Sequence, residues 1–338
     1  MTETTITLAH GAGGRKTAAL IHDIFARHFA SPYLTSDDAA VLPIERGRIA
    51  MTTDGFIVSP WDFPGGNIGK LSICGTVNDL VCMGARPRYL TCAFQIEEGF
   101  SMTALDTIAK SMAETAEKAG VHLVAGDTKV AGKGQVDHLF ITTTGVGELL
   151  DGVKTSGALA APGDDILVTG DIGRHGAAIL LARGDYGIDA DITSDCAPLA
   201  KPLLHMFETL PDRMAVHTVR DATRGGVGTV LHEIASESHV GVELDQSMLP
   251  VHPAVSGLTG LLGLSPLYLA CEGRVVLICT PDATNDVLTA LRTSEDTHGA
   301  TKIGTITDAH PGRVTLTTEL GTQVLLPEPT GELLPRIC

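Results

Sequence analysis

Residues 67–83 read NIGKLSICGTVNDLVCM, an apolar segment that contains a single acidic side chain, Asp79. We predict that this segment is a helix in which Asn78 and Asp79 form a polar pair among leucine, isoleucine, valine and cysteine side chains. An ionised carboxylate in apolar surroundings is costly unless it is paired or binds a metal ion. Because Asp79 is neither a helix cap nor a turn residue, it is the first candidate for a functional side chain.

Helices and strands alternate on both sides of this segment, which predicts an α/β fold. The clearest helix is 101–119, which Ser101 can cap and Gly120 can end. In the strand predicted at 48–58, Asp54 and Gly55 are expected to form a break. Further helices are predicted at 18–28, 175–182, 202–210, 227–238 and 281–293, and further strands at 121–125, 138–146, 166–169 and 275–279.

A polar stretch with several glycines, 151–165, separates two such alternating regions. At about 150 residues per domain, the 338 residues favour two domains. We expect an N-terminal domain of residues 1–150, a second α/β domain of residues 160–322, and a flexible tail of residues 323–338. In this tail four residues disfavour helix and sheet: Pro327, Pro329, Gly331 and Pro335.

The acidic composition excludes several classes of partner. The chain has 24 Lys and Arg against 40 Asp and Glu, a net charge of −16, which argues against an electrostatic grip on nucleic acid or on an anionic membrane surface. No apolar run has the length of a membrane span. The N-terminus lacks a basic start followed by an apolar stretch, and the seven cysteines include no C-x-x-C pair. We therefore expect a cytoplasmic protein with reduced thiols.

Acidic residues at four places interrupt apolar or glycine-rich sequence, and none has a His or Cys at metal-ligand spacing. Carboxylates from separate elements suit Mg²⁺ that bridges phosphates. The alternative for each of them is a structural cap or a turn residue. They are Asp37-Asp38, Asp54, Asp79 and Asp221.

Two glycine-rich turns, Gly11–Gly14 and Arg224–Gly226, precede predicted helices. Free backbone N–H groups and the positive end of the helix dipole can hold phosphate at such turns, although each turn alone is a weak signal. The sequence has no complete Walker A motif, no G-x-G-x-x-G, no zinc-protease motif and no serine-hydrolase elbow.

Three further side chains could take part in chemistry, and each has an ordinary alternative. Lys129 follows the strand predicted at 121–125, which we expect to be buried, and could hold a phosphate, act as a base or form a solvated ion pair with Asp127. Glu272 ends an apolar segment, where burial could raise its pKa toward a value suited to proton transfer; the alternative is a turn carboxylate. Cys338, at the end of the proline-spaced tail, could carry an acyl group as a thiolate, or could be incidental.

Ten short motifs run through the chain: Gly11–Gly14, Ser36–Val41, Thr52–Phe56, Phe63–Gly66, Gly69–Leu71, Gly75–Leu80, Met83–Pro87, Gly126–Val130, Arg220–Gly226 and Leu334–Cys338. In sequence and order they resemble the HypE family, the carbamoyl dehydratases of hydrogenase maturation. The final Pro-Arg-Ile-Cys is the most specific of them, whereas Asp-Asp turns alone would indicate a wider superfamily that includes aminoimidazole ribonucleotide and selenophosphate synthetases. The loop at 10–16 lacks the reactive Cys or selenocysteine of selenophosphate synthetases, which counts against that branch.

This resemblance implies a two-domain PurM-like architecture and a homodimer whose N-terminal domains join their sheets, with ATP bound near the junction. It also implies that four aspartates, beside their neighbour Asp37, hold Mg²⁺ and the phosphates: Asp38, Asp54, Asp79 and Asp221. Nucleotide contacts are expected from Gly13, Gly14, Asp54, Asn78, Asp79, Asp127, Thr128, Arg224, Gly225 and Gly226.

The activity that the resemblance implies is an ATP-dependent dehydration on Cys338. A HypF-type carbamoyltransferase would load the thiol with a carbamoyl group, and the site would convert that group to a thiocyanate with release of ADP and phosphate. Glu272 is expected to accept a proton from the carbamoyl nitrogen. Lys129 is expected to stabilise the carbamoyl oxygen or the phosphate. The cyanide would pass to iron on a HypC–HypD complex. Whether the tail acts within its own subunit or on the neighbouring one stays open.

Two other functions fit the same residues. A free-substrate kinase or synthetase of the superfamily would turn over a small molecule without Cys338. A non-catalytic ATP-binding carrier would shuttle a ligand on Cys338 without releasing phosphate. A carrier that only binds ATP would not need four acidic positions that face phosphate, so we favour catalysis.

Overall fold

Two β-sheets, one in each half of the chain, organise the fold. A computed structural model describes residues 14–20, 37, 40–44 and 47–329. The first half contains helices α1 (Gly14–Leu20), α2 (Ile68–Cys82) and α3 (Met102–Ala119). Its strands are β1 (Ala40–Ile44), β2 (Gly47–Phe56), β3 (Asp62–Phe63), β4 (Gly66–Asn67), β5 (Ala85–Glu97), β6 (His122–Ala131) and β7 (Leu139–Leu149).

Five of these strands form one sheet in the order β1-β2-β7-β5-β6, while β3 and β4 form a separate hairpin. Only the β5–β6 pair is parallel in this sheet, and α3 makes the crossover between its two strands. Buried and half-buried residues alternate along most of β7, as expected of a strand with one face on the core.

The second half is built on a seven-stranded sheet. Its strands are β8 (Asp165–Val168), β9 (Val216–Asp221), β10 (Gly241–Asp245), β11 (Val275–Cys279), β12 (Thr301–Thr307), β13 (Val314–Thr317) and β14 (Gln323–Leu325). They lie in the order β14-β13-β10-β12-β8-β11-β9. The helices of this half are α4 (Arg174–Arg183), α5 (Ala200–Thr209), α6 (Gly226–Glu237), α7 (Pro253–Leu262) and α8 (Thr284–Leu291).

Both faces of the central strands of this sheet are buried. Alternate residues of a strand point to opposite faces, and in β8 Leu167 belongs to an apolar cluster with α5 and α8, whereas Ile166 and Val168 belong to a cluster with α6. The short apolar run at 275–279, β11, is divided in the same way. This arrangement explains why these strands show no polar alternation in the sequence.

Helix α2 lies between the two halves and is buried on almost every side. The side chain of Asn67 caps it, accepting hydrogen bonds from the N–H groups of Gly69 (2.9 Å) and Lys70 (3.1 Å). The helix contacts β2 and β7 of the first sheet and α5 and β9 of the second half. A helix that is apolar all round has to be enclosed on all sides, so this segment joins the two halves into one core. The helix predicted at 67–83 is confirmed.

Two further contacts connect the halves. The carbonyl oxygen of Pro64, in the β3–β4 hairpin, accepts a hydrogen bond from the Ser194 N–H at 2.8 Å. The ring of Phe63 meets the buried imidazole of His175 edge to face, with 5.2 Å between ring centroids, and Ser194 Oγ lies 2.7 Å from His175 Nδ1. The Phe63–Gly66 motif is therefore an interdomain contact.

The predicted α/β class is confirmed, but some local predictions are wrong. Strand β2 runs through Asp54 and Gly55 without a break, because β7 pairs with both residues. The predicted strand 121–125 extends to Ala131, and it is exposed rather than buried because it forms the edge of its sheet.

The tail does not begin at residue 323. Residues 323–325 form β14, which pairs with β13 through a turn in which Gly321 has φ +77°. The hairpin gives the backbone of this segment hydrogen-bond partners that an extended tail lacks. The helix predicted at 281–293 is α8 preceded by a 3₁₀ turn, and the part of the helix predicted at 18–28 that follows Leu20 lies outside the described residues. No described helix combines the length and apolarity needed to cross a membrane.

Candidate functional site

Asp79 and two side chains of β2 form the first part of the site. Thr52 Oγ1 donates a hydrogen bond to Asp79 Oδ2 at 2.7 Å. Alternate residues of a strand share a face, so Asp54 lies on the same side of β2 as Thr52. Burial raises the pKa of Asp54 to about 6, while the positive charge of Arg224 lowers it and the carboxylate of Asp221 raises it. Side chains of both halves therefore meet at Asp54.

A glycine on α2 lets the Phe56 ring of β2 approach the helix, beside Asp54. A Cβ atom at Gly75 would lie 2.8 Å from the ring carbons Cε1 and Cζ of Phe56 and 3.7 Å from Asp54 Oδ2. Gly75 precedes Asp79 by one helical turn. The carboxylates of Asp54 and Asp79 consequently lie over the same stretch of α2.

The second half contributes Asp221 and the glycine turn that follows it. Asp221 is the last residue of β9, and α6 begins at Gly226. Gly225 and Gly226 have φ values of +75° and +60°, and a Cβ atom at Gly226 would lie 2.4 Å from the carbonyl oxygen of Leu269. The turn therefore requires glycine at this position. Its place between Asp221 and the first N–H groups of a twelve-residue helix is suited to phosphate.

Glu272 lies in the segment that leads into β11, and its side chain is buried, with only 4% of the residue exposed. Burial raises its pKa well above the usual value, and the nearby Cys196, Asp221, Asp195 and Asp54 raise it further. The site therefore holds a buried carboxyl group with a high pKa next to the Asp54–Asp221 pair. A buried carboxyl group with a raised pKa binds a proton more tightly than an exposed one, which makes Glu272 a candidate for proton transfer.

The sequence analysis missed the network that supports Glu272. Oδ1 of the buried Asp195 accepts a hydrogen bond from the Glu272 N–H at 3.3 Å, and Arg274 Nε lies 3.9 Å from Asp195 Oδ2. Arg274 also pairs with Asp171 at 2.9 Å. Nothing in the sequence around Asp195 distinguishes it from a loop aspartate. The sequence analysis did not single out Thr52 either, although its position two residues before Asp54 was a usable signal.

Asp127, Thr128 and Lys129 lie apart from this cluster within one subunit. All three are exposed on β6, where Lys129 Nζ pairs with Asp127 at 2.8 Å. Three strand-to-strand steps separate β6 from β2, which is about 14 Å at 4.8 Å for each step. A single subunit therefore does not bring Lys129 to Asp54.

Asn78 is occupied with a structural role. Its amide nitrogen donates to the carbonyl oxygen of Ala197 at 3.1 Å, and its amide oxygen accepts from the Leu199 N–H at 2.8 Å. Both polar groups of this buried side chain thus connect α2 to the second half.

Three of the expected site residues, Gly13, Asp38 and Cys338, lie outside the described residues. Asp37 accepts hydrogen bonds from the Gly157 N–H at 2.9 Å and from Ser156 Oγ at 3.2 Å, which connects it to the start of the second half. Within the described ranges, no three His, Cys, Asp or Glu side chains are grouped so that they could hold a metal ion by themselves.

Comparisons with known proteins agree with this geometry. Residues 36–149 match the family model "AIR synthase related protein, N-terminal domain", and residues 161–317 match "AIR synthase related protein, C-terminal domain". The first match covers the five-stranded sheet, and the second covers the seven-stranded sheet except β14, which confirms the two-domain PurM-like architecture. Together they include Asp54, Asp79, Asp221 and Glu272.

Full-length relatives are more specific. The chain is 44% identical to carbamoyl dehydratase HypE of Escherichia coli K12, over 98% of this chain and 99% of the relative. A crystal structure of the hydrogenase maturation protein HypE in complex with ATP is 42% identical, with a TM-score of 0.82, over 98% of this chain and 100% of that one. A crystal structure of a HypE–HypF complex is 43% identical, with a TM-score of 0.87, over 92% and 100%. The chain therefore belongs to the HypE family of carbamoyl dehydratases.

Proposed function

We propose that this chain uses ATP to dehydrate a carbamoyl group carried on the thiol of Cys338. The product is a thiocyanate, which supplies the cyanide ligand of [NiFe]-hydrogenase iron. The observation that carries this proposal is the buried Glu272 beside Asp54 and Asp221, because the reaction needs a proton acceptor and a phosphate site at one place. The relatives named carbamoyl dehydratase and the HypE crystallised with ATP support it.

The reaction needs ATP because an amide oxygen is a poor leaving group. The carbamoyl oxygen attacks the γ-phosphorus, the bond from that phosphorus to ADP breaks, and the oxygen then leaves with the phosphate after both N–H protons are lost. The balance is RS–CO–NH₂ + ATP → RS–C≡N + ADP + phosphate. No electrons are gained or lost.

Glu272 is suited to accept one of the two protons. A carboxylate of ordinary pKa is too weak a base for this step near neutral pH, whereas burial and the surrounding carboxylates make Glu272 more basic. Asp195 holds the Glu272 backbone through the 3.3 Å hydrogen bond. The ion pair between Arg274 and Asp171 stabilises the position of Arg274 next to Asp195.

The aspartates of the site fit Mg²⁺. Asp54, Asp79 and Asp221 provide oxygen donors only. Burial raises the pKa of Asp54 although the positive charge of Arg224 lowers it, so a bound cation would favour the ionised form of this carboxyl group. Together with Asp38, these three aspartates would hold the ion. When bound, it would neutralise charge on the phosphates.

Lys129 can serve this reaction from the second subunit of a homodimer. Strand β6 is the edge of its sheet and is exposed at every residue except Ala131, and the HypE resemblance implies that N-terminal domains join at their sheets. In such a dimer, residues 1–150 form the ATP-binding, dimer-forming domain and 160–322 the second α/β domain. Lys129, with Asp127 and Thr128, would then approach the phosphates of the neighbouring subunit.

The loading and acceptor partners follow from the chemistry. A HypE has been crystallised with HypF, so we propose a HypF-type carbamoyltransferase as the protein that loads Cys338. The thiocyanate carries cyanide in a form that can pass to iron, for which we propose a HypC–HypD complex. These steps would take place in the cytoplasm.

The direct experiment is mass spectrometry of the intact, carbamoylated chain after incubation with Mg-ATP. We expect a loss of about 18 Da, one water, located on the C-terminal peptide. Cys338→Ala should abolish loading. Asp79→Asn and Glu272→Gln should both be carbamoylated normally. Dehydration should be at least 100-fold slower in Glu272→Gln, the usual contribution of a general acid or base, and blocked in Asp79→Asn, which loses a Mg²⁺ ligand.

Two outcomes would favour the other functions. ATP-dependent turnover of a small molecule by the Cys338→Ala chain would indicate a free-substrate synthetase or kinase. Nucleotide binding by the loaded chain without phosphate release would indicate a carrier.

A further inference from the structure

Tyr268 connects the first turn of α6 to the start of the C-terminal tail. Its hydroxyl donates a hydrogen bond to the carbonyl oxygen of Pro327 at 2.7 Å. Its ring lies against Gly228, where a Cβ atom would be 2.4 Å from ring carbon Cε1. Because α6 begins at Gly226, Tyr268 lies between the phosphate-type turn and the segment that leads to Cys338.

The same segment has contacts with α1. Glu328 Oε2 lies 3.9 Å from Arg15 Nε, and a Cβ atom at Gly14 would be 2.8 Å from the carbonyl oxygen of Pro329. The chain therefore passes from Tyr268 to the first residue of α1, directly after the glycine-rich loop. Residues 327–329 therefore lie between Tyr268 and the start of α1.

We propose that Tyr268 is a positioning residue that fixes residues 326–329, the root of the tail, beside the nucleotide site. Only residues 330–338 then have to travel between the carbamoyltransferase and ATP, and these nine residues reach at most about 30 Å. A fixed root raises the effective concentration of the Cys338 thiol at the γ-phosphate. This inference rests on the proposed function and adds the contact that positions the tail.

A tyrosine is well suited to this role. Burial raises the pKa of Tyr268 to about 12, and the negative charge of Glu328 adds to the rise, so the hydroxyl stays a donor throughout the physiological range. The exposed Arg15–Glu328 pair contributes little, since solvent screens it. Loss of one neutral hydrogen bond changes the ratio of docked to free root by roughly fivefold.

The test compares Tyr268→Phe with Tyr186→Phe, which removes the same hydroxyl from a half-exposed tyrosine after α4. Full-length chains are carbamoylated, mixed rapidly with Mg-ATP and quenched for mass spectrometry. We expect dehydration in a single turnover to be slower in Tyr268→Phe by up to roughly fivefold, the full factor applying where the root is mostly free. Carbamoyl loading and the Kd for ATP should equal those of the wild type, and Tyr186→Phe should match the wild type throughout.

A second substrate separates positioning from damage to the site. A carbamoylated peptide of residues 334–338 is supplied in solution to Cys338→Ala chains with and without Tyr268→Phe. Equal peptide turnover by both chains supports the positioning role, whereas equal slowing of peptide and tethered substrate overturns it. An unchanged single-turnover rate in Tyr268→Phe also overturns it, while the proposed function stands. A wild-type chain that loses no water would refute the proposed function itself.

Discussion

At the scale of single residues, the site depends on environments that the sequence does not display. Asp54, Asp79, Asp221 and Glu272 could each be proposed from their apolar or glycine-rich neighbours. Their meeting at one place could not, since it needs α2, β2, β9 and the segment before β11 to converge. The high pKa of Glu272 in particular arises from burial and from side chains that are distant in sequence, Cys196, Asp221, Asp195 and Asp54.

Thr52 gives a prediction that isolates one hydrogen bond of the site. Thr52→Val keeps the shape of the side chain but removes the donor to Asp79 Oδ2. Hydrogen bonds to charged groups contribute about 1.5–3 kcal/mol, so we expect Mg-ATP to bind roughly tenfold more weakly in calorimetric titration.

The matched control is Thr53→Val on the opposite face of β2, whose hydroxyl donates to the carbonyl oxygen of Thr143. It should bind Mg-ATP with the affinity of the wild type. Equal weakening by both substitutions would mean that Thr52 does not orient Asp79.

At the scale of elements, the side chains of α2 determine how closely the first sheet can pack against this helix. Gly75 is the residue that allows it, because the Phe56 ring occupies the place of a side chain there. Gly75→Ala should lower the free energy of unfolding by about 1–3 kcal/mol, the usual cost of overpacking, measured by urea denaturation.

Gly257 on α7 provides the opposite case. A Cβ atom there would meet nothing within 4 Å, so Gly257→Ala should raise the free energy of unfolding by about 0.4–1 kcal/mol. If the two substitutions changed stability by the same amount and sign, the close packing at Gly75 would be refuted.

The contact between the β3–β4 hairpin and α4 predicts a pH dependence of stability. Complete burial lowers the pKa of His175 from 6.5 to about 3, so the folded state keeps this side chain neutral while the unfolded state takes up a proton below pH 6.5. Stability is therefore full above pH 6.5 and falls by about 1.4 kcal/mol for each pH unit below it, down to about pH 3.

His175→Asn should remove this one-proton contribution. Urea midpoints of both chains, measured between pH 7.5 and 4, should converge as the pH falls. Parallel curves would show that His175 is not a buried neutral imidazole.

At the scale of the whole molecule, the alternating pattern of helices and strands was sufficient to predict the fold class, and the apolar segment 67–83 was sufficient to predict its central helix. The edge position of β6 could not be predicted, because Leu123, Val124 and Val130 read as core residues. They are 37%, 57% and 70% exposed. Local sequence gives the type of an element, but strand order depends on pairing between distant segments.

The exposed β6 predicts the quaternary structure. A charged residue on an edge strand opposes pairing with another strand, so Val124→Lys should convert a dimer to a monomer in sedimentation velocity. If Lys129 acts on the neighbouring subunit, the same variant should also slow dehydration.

Leu320→Lys is the matched control, because Leu320 is 93% exposed in the turn between β13 and β14. It should remain a dimer with full activity. A wild-type chain that is monomeric at micromolar concentration would exclude the dimer.

The central claim is that ATP makes the carbamoyl oxygen removable. The most direct measurement loads Cys338 with a carbamoyl group labelled with ¹⁸O, adds Mg-ATP in ordinary water, and analyses the released phosphate by mass spectrometry. We expect the label to appear in inorganic phosphate as the thiocyanate forms. Unlabelled phosphate, with the ¹⁸O released as water, would contradict it.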